Sequence, residues 1–238
     1  MNHWKTKNGI EIFQVLNRRS NSYLICSEDK KILVDTGRES ALGRLWNNMG
    51  VLNLKPESID FLILTHTHYD HCQNAATIKS HTNCKIVMSE KEAKYVENGF
   101  TPLPRGTFPI TRIISNLGTW IGPKKFGYKP FIPDVQVTDE LDLREFNISI
   151  ISTGGHSKGS ISVIVDNEIA IVGDAMFGVF KKSVFPPFAD NVNEMINSWG
   201  RLLKTDCHTF LPGHGKQIKR ELLQREYDIY LQKNLQKK

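Results

Sequence analysis

No apolar run in this sequence approaches the ~20 residues that cross a bilayer, which excludes a helical membrane span. The opening residues, Met1-Asn2-His3-Trp4-Lys5-Thr6-Lys7-Asn8-Gly9, lack the apolar centre and small-residue cleavage site of a secretory signal. Cysteine is scarce: Cys26, Cys72, Cys84 and Cys207 form no Cys-x-x-Cys pair and read as free thiols in a reducing, cytoplasmic compartment. Lysines and arginines give a net charge of +6 but are spread along the chain, so the electrostatic footprint of a nucleic-acid binder is weak. The expected partner is a small molecule, with no membrane and no nucleic acid, and nothing in the pattern fixes an oligomeric state. Linkers and low-complexity runs are also missing, so residues 1–238 read as a single domain. At 39% hydrophobic and 24% charged, the composition is that of an ordinary globular chain with ample material for a core.

What is present is concentrated at His66-Thr67-His68-Tyr69-Asp70-His71, directly after the apolar residues 61–64. Burying three imidazoles and a carboxylate without partners costs about 1 to 3 kcal/mol each, so packing does not explain them. Imidazole nitrogen and carboxylate oxygen are donors that a cation such as zinc accepts. In an extended segment alternate side chains face the same way, so His66 and His68 converge on one ion while Asp70 and His71 reach a second. Cys72 could serve as a ligand only by displacing these better-placed groups.

Along the chain, residues 10–16, 22–26 and 31–34 have strand texture and open an antiparallel sheet; the third runs into Asp35-Thr36-Gly37. The Asp35 carboxylate there either caps a turn or holds a ligating histidine from behind. Leu42, Leu45, Trp46 and Met49 mark one helix face ending at Gly50, and residues 59–64 form a strand covered on both sides. A short helix follows through Ala75, Ala76 and Ile78, then a strand at 84–88. Ser89-Glu90-Lys91-Glu92 reads as a capping box that starts another helix. Residues 99–133 carry six of the ten prolines among aromatics, and read as a long loop capping the site. Strands at 146–152, 161–165, 169–172 and 207–211 follow, with a helix over 191–203 and an amphipathic helix in the tail after 218.

Three of the later strands repeat the construction of strand, small turn and ligand-type side chain, at His156, Asp174 and His214, and together with residues 66–71 they supply two sets of ligands. His3, His81 and His208 lack that context and read as structural or solvated.

In the order Asp35-Thr36-Gly37, His66 to His71, Gly155-His156, Gly173-Asp174 and Pro212-Gly213-His214-Gly215, the chain resembles the metallo-β-lactamase fold superfamily of metal-dependent hydrolases. The resemblance implies an α/β fold, a four-layer αβ/βα sandwich of two mixed β-sheets flanked by helices. It also implies two divalent cations, zinc or alternatively manganese or iron. His66, His68 and His156 would hold the first, Asp70, His71 and His214 the second, with Asp174 bridging and Asp35 behind a ligand.

Two such cations lower the pKa of a shared water toward neutrality, and the expected reaction is attack by the resulting bridging hydroxide on a small ester, lactone or thioester, with Asp70 handling the proton. Subfamily patterns narrow this further. β-Lactamases of the fold carry Cys or Ser at the place of Asp174, and acyl-homoserine lactonases carry Tyr at the place of Phe177. Glyoxalase II enzymes append a glutathione-binding domain and RNase Z an RNA-binding arm, where only 24 residues follow His214 here. Phe177, Phe185, Phe188 and Trp120 are the expected substrate pocket, and Lys181 and Lys182 a hold for an anionic end. The alternatives are a phosphodiesterase or nuclease of the same fold, or an iron-dependent oxidoreductase of the di-iron or persulfide dioxygenase type.

Overall fold

The layering follows from strands whose successive side chains point to opposite faces. The computed structural model describes residues 1–27 and 30–235, with side chains outside that description at 118–121, 123–124 and 234–235. The first sheet runs β1 (His3–Lys5), β2 (Glu11–Asn17), β3 (Asn21–Cys26), β4 (Lys31–Val34), β5 (Phe61–Ile63), β6 (Lys85–Ser89) and β7 (Val135–Val137), in that spatial order. Pairing is antiparallel up to β4 and parallel from β4 to β7. The second sheet comprises β8 (Glu140–Leu143), β9 (Ile148–Ser152), β10 (Ile161–Val165), β11 (Ile169–Gly173), β12 (Thr209–Pro212) and β13 (Ile218–Lys219), with only the β11 and β12 pair parallel.

Alternation divides each strand between two cores. Ile32, Val34, Ile63 and Val87 of the first sheet meet Ile150, Val163, Ile171 and Leu211 of the second in a central apolar layer. Their neighbours Leu33, Leu62, Ile86 and Met88 face outward onto α1 (Leu42–Val51), α3 (Ala75–Thr82) and α4 (Ala93–Asn98), reached through the single turn α2 (Tyr69–Cys72). On the far side, Ile164, Ala170, Val172 and Phe210 pack against α6 (Val192–Leu203) and α7 (Arg220–Leu235). The expected four-layer sandwich of two mixed sheets is thus the observed one. Fully burying side chains of this size is worth about 1.5 to 3 kcal/mol each, so the central layer holds the two sheets together. No helix among the described residues is long and apolar enough to cross a membrane.

Three expectations change. Residues 99–133 are not a loop throughout, because α5 (Pro109–Phe126) occupies half of them. Ile110, Ile113, Ile114 and Leu117 supply a helical stripe that the surrounding prolines obscure, and Pro109 at the first helical position is compatible with a start there. Gly50 does not stop α1, which runs on to Val51, with Asn53 taking the left-handed conformation beyond it. Ser89 does cap a short turn by accepting from Lys91 N, but Glu92 does not complete the box: its carboxylate is buried elsewhere.

Candidate metal centre

All the ligand-bearing turns leave the sheets at one edge: His66 follows β5, His156 follows β9, Asp174 follows β11 and His214 follows β12. The two sheets are tied together at this edge, with Ile161 N donating to Thr65 O and both Asn21 Nδ2 and Tyr23 Oη donating to Pro212 O. Gly213 is required here by space, since a β-carbon on it would lie 2.2 Å from Asp174 Oδ1. Asp35 takes a left-handed conformation, φ 60°, which few residues other than glycine tolerate.

The structure brings all seven predicted ligands together. The donor atoms of His66, His68 and His156 lie within 4.8 Å of one another, as do those of Asp70, His71 and His214. Asp174 stands between the two groups, with Oδ1 3.5 Å from His71 Nε2 and Oδ2 3.5 Å from His156 Nε2 and 3.3 Å from His214 Nε2. Asp70 Oδ2 is 3.5 Å from His214 Nε2.

The outward ring nitrogens are each engaged, which fixes what faces inward. His71 Nδ1 donates to Asp35 Oδ2 at 2.9 Å, His156 Nδ1 to Phe188 O at 2.9 Å and His214 Nδ1 to Arg19 O at 2.5 Å, while the backbone of Pro102 bonds the His68 ring. Asp35 also accepts from Thr65 N and Thr65 Oγ1, so it lies behind a ligand instead of capping a helix. With those protons pointing outward, each ring turns its other nitrogen inward, where its lone pair is available to a cation. His156 Nε2 and His68 Nδ1 face each other at 3.0 Å, and His71 Nε2 and His214 Nε2 at 3.3 Å. Ring nitrogens so opposed need positive charge between them, a cation or, in its absence, a proton. His66 Nε2 and Asp174 Oδ1 are buried and have no hydrogen-bond partner among the described residues. These residues therefore fit divalent cations, and the outer partners orient the donors as metal-ligating histidines require.

Without a cation, the electrostatics differ between the two groups of donors. Burial and the neighbouring histidines hold His66 and His68 well below the ordinary imidazole range, so both offer neutral rings. Burial works against charge on His71 too, but Asp174, Asp70 and Asp35 outweigh it and push its pKa up to about 10. His214 is raised on the same balance, burial being outweighed chiefly by Asp174. Burial disfavours the Asp174 carboxylate, yet the histidines around it keep it ionised far below the usual range.

Beside this centre lies a cavity of about 270 Å³ lined by His68, Tyr69, Asp70, Leu103, Pro104, Ile114, Phe126, His156, Asp174, Phe177, Pro186, Pro187, Phe188 and His214. Phe177, whose ring is 5.3 Å from that of His214, and Phe188 are among these lining residues. Phe185 is not: it stacks on Tyr230 at 4.9 Å within the outer core, because the prolines at 186 and 187 carry the wall past it. Trp120 falls in α5, and its side chain is outside the described residues. Lys181 and Lys182 are exposed and do not line the cavity. The Cys72 thiol, which burial keeps protonated, donates to Thr67 O and belongs to the packing. His3, His81 and His208 lie at the surface, paired with Glu11, Thr77 O and Glu168.

Glu92 also differs from its reading as part of a capping box. Glu92, 1% exposed, accepts from Thr67 N and Thr67 Oγ1 at 2.7 Å each and from Gly159 N at 3.3 Å. It thereby joins the turn carrying His66 and His68 to the loop carrying His156. Exchanging Glu92→Ala leaves the Thr67 amide unpaired, and the expected result is a loss of cation affinity on the order of tenfold, partly restored in Glu92→Gln. Competition with a chelating indicator reads this directly, and unchanged affinity in both variants would reduce Glu92 to a space-filling role.

A family model described as the metallo-beta-lactamase superfamily matches residues 16–214. A "Probable metallo-hydrolase" of Methanocaldococcus jannaschii is 30% identical over 200 residues, spanning 83% of this chain and 88% of that protein. A "Beta-lactamase-like protein 2 homolog" of Drosophila melanogaster is 26% identical over 210 residues, spanning 88% of this chain and 63% of that protein. In fold, the chain is similar to a metallo-beta-lactamase of Cronobacter sakazakii, with TM-score 0.69 and 17% identity over 99% of this chain and 94% of that one. With the family model covering most of its length, the chain belongs to the metallo-beta-lactamase superfamily and is, at the level of that family, a hydrolase-type enzyme.

Proposed function

We propose that the protein hydrolyses a small ester, lactone or thioester with an apolar acyl part, using two divalent cations. The observation that carries this reading is the convergence of opposed ring nitrogens and two carboxylates beside an apolar cavity. His66, His68 and His156 would hold one cation and Asp70, His71 and His214 the other, with Asp174 shared; this nitrogen and oxygen donor set suits zinc first, then manganese or iron. Bound there, the cations supply a water acidic enough to be deprotonated near neutral pH and positive charge for an oxygen that becomes negative.

The chain's own groups do the rest. Asp35, Phe188 O and Arg19 O keep the rings of His71, His156 and His214 turned inward. Asp70 Oδ1, which makes no hydrogen bond among the described residues, is the position for the proton released in the reaction, while Oδ2 stays with His214. Leu103, Pro104, Ile114 and Phe126 of the 99–133 segment, with Phe177 and Phe188, would cap and hold the acyl group and exclude water. A cavity of about 270 Å³ limits that group to a small one. The buried free thiols Cys72, Cys84 and Cys207 suit a reducing, cytoplasmic compartment.

The test is a hydrolysis panel of lactones, thioesters, phosphodiesters and β-lactams on zinc- or manganese-reconstituted protein, with His68→Ala as the blank. Turnover of carboxylic esters or thioesters supports the reading. Turnover confined to phosphodiesters, or oxygen consumption by iron-loaded protein, would overturn it. Phe177→Ala should lower kcat/KM about tenfold for acyl groups of four or more carbons and less for acetyl, because the lost contact is apolar area; equal losses for both would remove Phe177 from the acyl site.

A further inference from the structure

A second cavity, of about 300 Å³, lies behind Tyr69 and Asp70, and four of its lining side chains are arginines: Arg18, Arg19, Arg38 and Arg44, with Ser20 and Ser40 beside them. Its wall is shared with the metal centre. Ser20 Oγ donates to Asp70 O at 2.5 Å, and Arg19 O accepts from His214 Nδ1. Arg38 donates to Tyr69 Oη and lies over that ring, 4.8 Å from its centroid, and Tyr69 in turn lines the apolar cavity.

Arginines at a surface are ordinarily balanced by carboxylates or by solvent alone. Here no carboxylate among the described residues comes within ion-pair distance of any of the four. Arg18 and Arg19 are exposed, but Arg38 and Arg44 are half-buried, and Arg44 Nε is fully covered with no hydrogen-bond partner among the described residues. Four uncompensated guanidiniums around one cavity repel one another and are relieved by a multivalent anion with several acceptor oxygens, for which planar N–H pairs are the matching donors.

We infer that this arginine-lined cavity is a subsite for a phosphate group carried on the alcohol or thiol side of the substrate, with the acyl side in the apolar cavity and Tyr69 between them. The inference rests on the proposed hydrolysis and narrows it to phosphate-bearing esters or thioesters. Hydrolysis would release the acyl acid from one cavity and the phosphorylated alcohol or thiol from the other. Neither Arg18 nor Arg44 contacts a candidate metal ligand, so their roles separate from the chemistry.

The experiment uses cation-loaded protein and two thioesters with the same short acyl group, one on a thiol with a terminal phosphate and one on the same thiol without it. Wild-type protein should favour the phosphorylated thioester about tenfold or more in kcat/KM, mostly through KM. Arg18→Gln and Arg44→Gln should each remove most of that preference and leave the other thioester unaffected. Equal kcat/KM for the two thioesters in the wild type, or equal losses for both in the variants, would overturn the inference. Binding of the free phosphorylated thiol, followed by calorimetry in wild type and both variants, decides the matter separately if no thioester turns over. Arginine-dependent binding would then uphold the subsite while the proposed hydrolysis fails. Arginine-dependent binding of inorganic phosphate, with the two thioesters hydrolysed alike, would assign the cavity to a free anion and overturn its role in substrate binding.

Discussion

Replacing Asp174 by alanine is expected to lower kcat/KM by a factor on the order of 10³ or more, equivalent to the several kcal/mol that paired cations contribute. Its carboxylate reaches His71, His156 and His214, one or more from each ligand group, so a single deletion removes negative charge from both. Without it, His71 and His214 lose the neighbour that most strongly draws positive charge to them. Elemental analysis of Asp174→Ala should find less than the wild-type cation content at matched free-metal concentration. A variant that keeps full content and turnover would show that the two groups bind independently of it.

Chelation is expected to lower the melting temperature by about 10 °C, since cations at a thousandfold excess over their dissociation constant add roughly 4 kcal/mol and a chain of this length shifts about 2 to 4 °C per kcal/mol. The stripped chain should also acquire a pH dependence that the loaded chain lacks. With no cation present, the His71 pKa rises from its ordinary 6.5 to about 10, so the folded chain holds a proton that the unfolded chain has lost. The stabilisation is complete below pH 6.5 and disappears as pH rises through about 10. In between, stability falls by about 1.4 kcal/mol per pH unit for each proton so held. His214 acts in the same direction. His66, His68 and Asp174 are shifted downward and act oppositely, losing their contribution as pH falls, and so do not oppose this trend above neutrality. Thermal melts of chelated and loaded protein at pH 7 and 8.5 check the sign: only the chelated form should melt lower at the higher pH, and a rise would contradict the charge balance drawn for His71.

The candidate ligands were legible in the sequence because they are gathered in four short segments that come after the apolar strands β5, β9, β11 and β12. Local chemistry sufficed there. It misled at Glu92, where Ser-x-x-Glu spacing satisfies a capping box but the carboxylate finds stronger donors in Thr67 and Gly159, far along the chain. In α5 the helical period was hidden by flanking prolines, one of which starts the helix. Phe185 and Phe188 flank the same pair of prolines, and only the path of Pro186 and Pro187 decides that one packs on Tyr230 and the other lines the cavity. Arg18 and Arg19 come from the turn after β2, Arg38 from the approach to α1 and Arg44 from α1 itself, so their common cavity exists only after β2 and α1 have packed together.

Titrating metal-free protein with zinc or manganese, while following bound metal and ester or thioester hydrolysis in the same samples, tests the central claim most directly. Two cations per chain, with hydrolysis rising as they bind and absent in His68→Ala, is the result predicted by the arrangement of His66, His68, Asp70, His71, His156, Asp174 and His214. A single bound cation at saturation, or hydrolysis that persists after complete chelation, would contradict it.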